Sequence, residues 1–514
     1  RLLCVILKLT SKIRIMNQEL RIKKVRADTV LESRFLSRKS SFVNRKSIMS
    51  RPGYFLPMLL AFAAVMMITT GAIMSLNYSN YATVKRQVQS NQALSIAEAG
   101  INYYLWHLSH NNHDYCDGQA CNGPGPYGPY THVYKNTAGE VLGSYDITIT
   151  PPQGSNTVAT VRSEGLATSG EKRTILATLG IPSFAQYSFV TDFEAWFGDT
   201  ETTNGLVHSN RGIHYDGTAN GVVSSYVQSY VPSACFGGDG GVKDGIWGTG
   251  GPTTYWNFPV PRVNFNQLTA DLNDLQTAAN AGGILLPTLL NAQGQKTHSG
   301  YAVRFNADNT ISVGKVTASR DNGGLGGNCV NHPRYNSLMQ TTDWEPTNRA
   351  LPTNGIIFVA DNVWVWGTLG ERVTLASGRL PDSQSTNTNI FLQNDINYTV
   401  KDGSVALGLI SQADLVVNSA SEDDLNIDAY LLSQKGRVFR PYYPSNVRTK
   451  ISVYGGIGSA SWWTWSWVNG SNQVISGYQS TVQTYDNYLA LNPPPQYPTT
   501  GSFAILSWKE EPIL

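Results

Sequence analysis

The chain has 514 residues, of which 41% are hydrophobic and only 14% are charged, and it includes 48 glycines. Its formal net charge is +2, but residues 1–53 contain 14 Lys or Arg against three Asp or Glu, so the rest of the chain is net acidic. The acidic balance of the chain after residue 53 argues against a nucleic-acid partner, which needs a basic surface. Low charge and many glycines are typical of a rigid β protein with many turns.

The first predicted element is the apolar run Tyr54–Met74, within MSRPGYFLPMLLAFAAVMMITTGAIM. As a helix, a run of about 20 residues spans the hydrocarbon core of a bilayer. Its basic flank predicts that the chain after Met74 lies outside the cytoplasm. We expect Met49 to be the true start, because residues 1–48 show no core-forming pattern. Residues 1–53 are then a non-native extension plus a short leader.

The apolar run has three interpretations: a cleaved secretory signal, a plain membrane anchor, or a retained helix that continues. No A-x-A-like cleavage site closes the run. From Leu76 to His110, apolar residues recur at helical spacing without a proline. We therefore predict one helix over residues 54–112, for which an anchor followed by a stalk is the alternative.

Two motifs resemble the N-terminal region of PilX-type minor pilins. They are Arg51–Phe55 (RPGYF), directly before the apolar helix, and Gln92–Tyr103 (QALSIAEAGINY), beyond it. The resemblance implies that a prepilin peptidase cuts after Gly53 and leaves Tyr54 as the methylated first residue.

One departure from the pilin pattern bears on the role of the subunit. Major pilins carry Glu at the fifth mature position, where this chain has Met58, and Tyr54 replaces the usual Phe. The departure implies an accessory subunit rather than the main filament repeat. Glu98 and Gly100, among small residues, are the candidates for helix or filament packing. For Glu98 an intersubunit role competes with a simpler explanation, a solvated charge on the helix face.

The resemblance predicts an accessory (minor) subunit of a type IV pilus or related pseudopilus, serving filament initiation, tip display or adhesion. The implied partners are the inner membrane, the prepilin peptidase, other pilins or pseudopilins, and a surface glycan or protein ligand. The predicted location is the bacterial inner membrane before assembly and the cell surface afterwards. The rival hypothesis is a membrane-anchored surface protein that does not polymerise.

Residues 113–182 contain three alternating segments, GSYDITITPP, NTVATVRSEG and KRTILATLG. This pattern predicts a small antiparallel sheet that packs on the outer half of the helix. The fold class is therefore α+β.

From Ser183, short apolar segments recur mostly every 15 to 22 residues, marked by Ile357, Leu375, Ile390, Leu409, Leu431 and Val453. We expect them to build a large head over residues 183–445. This spacing predicts a right-handed β-solenoid, with a β-sandwich as the alternative. We expect an insertion near 225–350 and a Trp-rich cap over 446–514. The segment GIIFVADNVWVWGTLGERVTLAS and the C-terminal end also resemble an uncharacterised β-rich domain that follows PilX-type N-termini.

The segment SWWTWSWVNG concentrates tryptophans. In a strand, Trp463, Trp465 and Trp467 would share one face. An exposed row would stack on sugar rings or contact another protein, whereas a covered row would cap the end of the solenoid.

Four cysteines follow the predicted start, which suits a chain outside the cytoplasm. Candidate disulfides join Cys116 to Cys121 and Cys235 to Cys329, although the sequence permits three connectivities. The competing interpretation of the first pair is a metal site with nearby histidines.

His107, His110 and His113 lie three residues apart before Asp114, a spacing that could hold a metal ion. Interaction of the histidines with the C-terminal dipole of the helix is the simpler explanation. We expect neither a metal nor a cofactor.

A polysaccharide-active enzyme is a further alternative, because solenoids host polysaccharide-cleaving activities. Asp423, Asp424 and Asp428 in SEDDLNID are the candidate carboxylates, and an acidic corner loop explains them equally well. His208–Ser209–Asn210 is interpreted as a corner rather than part of a triad. The chain has no G-x-S-x-G, H-E-x-x-H or P-loop motif, so we expect no enzymatic activity.

Overall fold

The computed structural model describes residues 55–111, 114–152, 158–265, 268–321, 334–469, 471, 473–499 and 503–512. The predicted processing site at Gly53 and Tyr54 lies outside the described residues, as do His113 and Cys329. The chain divides into two compact units between Thr83 and Val84, and each is described by itself.

The described elements begin with helix α1, Phe55–His110. The strands up to the second helix are β1 Tyr127–Lys135, β2 Val141–Thr150, β3 Val158–Ala167, β4 Lys172–Gly180, β5 Tyr187–Thr191, β6 Ala195–Phe197, β7 Thr202–Asn204, β8 Leu206–Ser209, β9 Ile213–Tyr215, β10 Thr218–Asn220, β11 Val223–Ser225, β12 Ser229–Tyr230, β13 Lys243–Asp244, β14 Ile246–Trp247 and β15 Trp256–Asn257.

Helix α2, Leu268–Gly282, is followed by the remaining strands. These are β16 Ile284–Leu286, β17 Gly300–Asn306, β18 Thr310–Arg320, β19 Leu338–Trp344, β20 Arg349–Ala350, β21 Ile356–Val359, β22 Val363–Leu369, β23 Arg372–Ser377, β24 Ile390–Tyr398, β25 Ala406–Ser411, β26 Leu415–Val417, β27 Asp424–Ser433, β28 Val438–Phe439, β29 Val447–Ser459, β30 Trp463–Thr464, β31 Ser466–Val468, β32 Val474–Tyr485 and β33 Ala504–Glu511.

The first part of α1 carries the predicted apolar run, and the continuous helix that the sequence predicts is confirmed. Its large apolar side chains from Phe55 to Met74 are 52% to 77% exposed. In water, so much exposed apolar surface is unfavourable, and lipid or another protein surface would cover it. By length and composition the helix can cross a membrane.

The second part of α1, from Val84, packs on one face of a five-stranded antiparallel sheet with the order β1-β2-β3-β4-β33. The buried helix residues recur every three or four positions, as a helix with one covered face requires: Ala93, Ile96, Ala97, Gly100, Ile101, Tyr104 and Leu108. Burial alternates along β2 and β3, so one face of the sheet meets the helix. This small domain confirms the predicted antiparallel sheet.

The last strand of the small domain comes from the C-terminus, where Ala504 of β33 pairs with Gly180 of β4. The sequence predicts a Trp-rich cap over all of 446–514, but residues 504–511 belong instead to the small sheet. The large β-rich region, residues 183–499, is therefore inserted between two paired strands. A bridge between Ser183 and Thr499 closes its base.

The strands of the large region pair in parallel in the order β16-β21-β23-β25-β27-β29-β5-β8-β11-β15. Equivalent apolar residues stand in one column, which runs Ile284, Ile357, Leu375, Leu409, Leu431, Ile457, Phe189, Val207, Val223, Trp256. Stacking like residues buries one continuous apolar core.

Two of the six marker residues do not belong to this column. Ile390 pairs with Val363 and Leu415 in a second parallel ladder, and Val453 pairs with Ile427. Ile390 thus lies in the other ladder, whereas Val453 lies on β29 of the main ladder, but ahead of the column residue Ile457. Apolar spacing alone therefore does not assign a strand to its ladder or a residue to its column.

The order of strands along the parallel stack departs from the order along the chain. Residues 284–459 come first and residues 187–257 follow, because Ile457 of β29 pairs with Phe189 of β5. We call this β29–β5 contact the seam. The chain returns from β15 to β16 through residues 258–283, where Asn210 exchanges hydrogen bonds of 2.7 and 2.9 Å with the Val263 backbone.

The expected insertion near 225–350 is only partly separate from the stack. Ile284 of β16 and Tyr301 of β17 pair with Ile357 and Val363, respectively. Strands β17, β18 and β19 form antiparallel pairs alongside. Part of the presumed insertion therefore supplies strands of the core itself.

Candidate ligand-binding cleft

A cleft of about 380 Å³ lies beside the seam. Its walls come from sequence-distant segments: Trp196, Gly198 and Glu201, the pair Cys235 and Phe236, the run Trp462–Val468, and Thr481. We call it the tryptophan cleft. A volume of this size lies within the range of about 300–1,000 Å³ that is usual for small-ligand sites.

The seam explains why these segments meet. β5 stacks on β29, so the segment after β5 lies beside the segment after β29. The Trp463 ring lies 5.2 Å from the Phe189 ring and 5.9 Å from the Phe197 ring, between ring centroids. Aromatic burial across the seam thus joins the two parts of the stack.

The tryptophans do not form the predicted row on one strand face. A bend at Trp465 separates β30 from β31, so strand alternation does not continue through the segment. Trp463 and Trp465 pack on the main core, whereas Trp467 packs beside Trp462 in another cluster. All of them nevertheless line the tryptophan cleft. Trp465 is only 2% exposed and still lines the cleft, so the same tryptophan segment is both packed in the core and part of the cleft wall.

Trp196, in one wall of the cleft, is the end ring of a stack of three aromatic rings. Trp196, His214 and Trp247 occupy paired positions on β6, β9 and β14. Their centroids are 4.9 and 3.8 Å apart and their planes nearly parallel. The Trp196 indole N–H donates to Asp216 Oδ2 at 3.3 Å, and His214 contacts the same carboxylate at 3.0 Å. These contacts hold Trp196 in place although it is 42% exposed.

Glu201 is the carboxylate of the cleft, and it also borders an adjacent cavity of about 30 Å³. Its Oε2 accepts a hydrogen bond of 3.0 Å from the Gly198 backbone N–H. Burial raises the pKa of Glu201 from its ordinary 4.5 to about 7, and the bond from Gly198 opposes the rise. At neutral pH the group can therefore both donate and accept hydrogen bonds.

Replacing Glu201 by glutamine is expected to remove a pH dependence of stability. Since its pKa is higher in the folded protein than the ordinary value, the contribution of Glu201 to stability falls as pH rises from about 4.5 to about 7 and is level outside that window. Glutamine cannot ionise, so this fall should be absent. Urea unfolding across that window, with Glu98→Gln at an exposed position as control, checks the result. An unchanged slope in Glu201→Gln would contradict it.

The helix candidates Glu98 and Gly100 have different surroundings. Gly100 approaches this chain's own sheet, where an added Cβ would lie 2.2 Å from Ser163 Oγ and 2.9 Å from Tyr145 Cδ2. Gly100 therefore packs on the sheet of its own subunit, and a role of Gly100 in filament packing stays a prediction. Glu98 is exposed, and its role between subunits stays a prediction.

A disulfide joins Cys116 to Cys121 in the structure. Cys235 lies in the wall of the tryptophan cleft, and its predicted partner Cys329 lies outside the described residues. The second pairing stays a prediction.

The histidine segment is occupied by contacts within the small domain. His107 Nε2 lies 3.1 Å from Asp114 Oδ2, and His110 Nδ1 lies 2.8 Å from the Trp106 carbonyl oxygen. Across the described ranges, no three His, Cys, Asp or Glu side chains are grouped as metal ligands would be.

The three candidate catalytic carboxylates have separate environments. Asp423 pairs with Arg448 at 2.5 Å on the surface, Asp428 is buried and pairs with Lys401 at 2.7 Å, and Asp424 is exposed. His208 is buried within β8 and contacts Ser224 and Asn210, each at 3.0 Å. Burial lowers the pKa of His208.

Sequence reasoning missed Trp196, Glu201 and Phe236. They lie more than 220 residues before Trp462 along the chain, and no local motif marks them. Only the seam brings them to the tryptophan segment, so single-sequence patterns held no signal for the complete cleft.

No protein-family model matches the chain, and no curated protein matches it. Among solved structures, the chain is similar to the crystal structure of the competence-associated pilin ComZ from Thermus thermophilus, at 14% identity. The match covers 82% of this chain and 97% of that chain, with a TM-score of 0.26. A TM-score of that size does not establish a common fold, and nothing about this chain's function follows from it.

Proposed function

We propose that this chain is an accessory pilin-like subunit that carries a large β-rich head into a type IV pilus or a related pseudopilus. One observation carries the proposal: a single helix, Phe55–His110, exposes apolar residues in its first part and packs on an antiparallel sheet in its second. Such a helix can rest in a bilayer and later bury the same apolar surface against neighbouring helices.

We interpret the head as a β-solenoid. The parallel pairing of strands and the column of like apolar residues support this interpretation over a sandwich, in which sheets are usually antiparallel. A solenoid presents a rigid surface built from successive coils.

The position of the head favours a tip or initiating role. Residues 183–499 are inserted between β4 and β33 of the small sheet, and this insertion is much larger than the sheet itself. A filament built only of such subunits would have to accommodate a bulky head at every step. Display at one end, with adhesion as its consequence, avoids that steric conflict.

The test is the mass of the mature N-terminus, measured with and without prepilin peptidase in membrane and sheared-filament fractions. We expect a peptidase-dependent N-terminus at Tyr54, recovered with sheared filaments. Gly53→Val should retain the leader. Gly71→Val, the same change where an added Cβ would meet nothing within 4 Å in the structure, should be processed normally.

The second candidate is a membrane-anchored surface protein that does not polymerise, which the exposed apolar segment supports equally well. An intact leader, or a chain found only in membranes, would favour this candidate and overturn the pilin proposal.

A further inference from the structure

We propose that the tryptophan cleft binds an uncharged oligosaccharide by stacking sugar rings on its indole faces. The inference deepens the adhesive role proposed above and names the chemical class of its ligand. A pyranose ring has an apolar C–H face and a rim of hydroxyl groups. A site for it therefore needs flat apolar surfaces beside hydrogen-bonding groups.

The flat surfaces are present and partly accessible. Trp196 is 42% exposed, and Trp463 and Trp467 are partly buried. One face of Trp196 is covered by His214, at a centroid distance of 4.9 Å. Trp196 is the end ring of that stack and also borders the cleft, so the aromatic surface of the stack continues to the cleft wall.

The indoles are held in position before any ligand arrives. The Trp467 N–H donates to the Arg440 carbonyl oxygen at 2.9 Å, and the Trp196 N–H donates to Asp216. Arg437 lies over the Trp462 ring at 5.4 Å. Rings fixed in this way lose little freedom when a ligand stacks on them, which favours binding.

Hydrogen-bonding groups stand among the rings. Thr464, Ser466, Thr481 and Glu201 line the same cleft. The Trp465 indole N–H is buried and has no hydrogen-bond partner among the described residues. A buried donor without a partner costs about 1–3 kcal/mol, and a ligand oxygen that reached it would relieve this cost.

The charge of the lining selects the class of sugar. Within the described part of the chain, no Lys or Arg lines the cleft, and Glu201 is its one carboxylate. A sulfated or phosphorylated ligand would meet no cation among the lining residues, because Arg437, which lies over Trp462, is paired with Asp414. It would also be repelled by Glu201 when that group is ionised. An uncharged sugar fits this lining, whereas a polyanion does not.

The experiment uses the full chain in a zwitterionic detergent without a sugar headgroup, so that detergent does not compete. Cellotetraose, maltotetraose, mannotetraose and chitotetraose are titrated by calorimetry, with a sulfated heparin tetrasaccharide as the anionic comparison. We expect at least one uncharged probe to bind. Trp196→Ala should weaken that binding about tenfold or more, which corresponds to about 1.4 kcal/mol.

Trp344→Ala is the matched control, because Trp344 is 43% exposed and lies outside the cleft lining. It should leave affinity within about a factor of two. Trp463→Ala is the second cleft variant, with circular dichroism as the folding check. Preferred binding of the heparin probe, equal losses in Trp196→Ala and Trp344→Ala, or no binding by any uncharged probe would each overturn the inference.

Failure of this inference can be distinguished from failure of the proposed function. Trp196→Ala should be processed at Tyr54 and recovered in sheared filaments as the wild type is. If the wild type is recovered in sheared filaments but binds no sugar, the sugar-binding inference fails and the pilin proposal stands. If the chain binds sugar but is found only in membranes, the pilin proposal fails and the sugar-binding inference stands.

Discussion

Gly165→Ala is expected to destabilise the small domain by about 3 kcal/mol or more, because the added methyl group has no space. Gly165 lies on β3 beneath α1, and its Cβ would be 2.2 Å from the Ala93 carbonyl oxygen and 2.5 Å from the Ala97 nitrogen. Both atoms belong to the helix backbone, which cannot rotate away as a side chain can. The helix would have to move off the sheet.

Hydrogen exchange of the β2–β4 amides, followed by mass spectrometry, measures this effect within the small domain. Gly100→Ala should cost less, because its nearest atom, Ser163 Oγ at 2.2 Å, belongs to a side chain that can turn. Gly282→Ala is the control, since its Cβ would meet only Asn354 Nδ2, at 3.8 Å. Equal exchange in the Gly165 and Gly282 variants would contradict the expected helix–sheet contact.

Asp414→Ala is expected to destabilise the head by about 3–5 kcal/mol, the usual cost of removing one partner of a buried ion pair. Asp414 is 5% exposed. Its Oδ1 accepts hydrogen bonds from the backbone N–H and Nε of Arg437 at 2.8 and 2.9 Å. Its Oδ2 accepts one of 2.6 Å from the Tyr335 hydroxyl. One carboxylate thus joins three segments distant in sequence.

Asp414→Ala should also change the environment of the tryptophan cleft, because Arg437, the partner of Asp414, lies over the ring of Trp462. Chemical unfolding followed by tryptophan fluorescence measures both stability and cleft environment.

Asp423→Ala is the matched control, because Asp423 also pairs with an arginine, at 2.5 Å, but is 67% exposed. An exposed pair contributes about 0–1 kcal/mol. Tyr335→Phe, which removes one donor, should cost about 1 kcal/mol. Similar losses in the Asp414 and Asp423 variants would contradict the prediction.

Local patterns in the sequence determined the helix and most strands of the small sheet. Apolar residues at helical spacing predict α1 through His110, and alternation predicts β2, β3 and β4. These elements depend on contacts between near neighbours in the chain, which short segments encode directly. The concentration of tryptophans at 462–467 was likewise visible in the sequence.

The sequence by itself also determined that the large region consists of short apolar strands of similar spacing. Only the tertiary structure decided their order, because strands with the same apolar pattern can each stack on several others. β5 pairs with β29, and β33 pairs with β4 although the large region lies between them in the chain. The pairing of β5 with β29 forms the seam, brings Trp196 and Glu201 to Trp463, and so forms the tryptophan cleft.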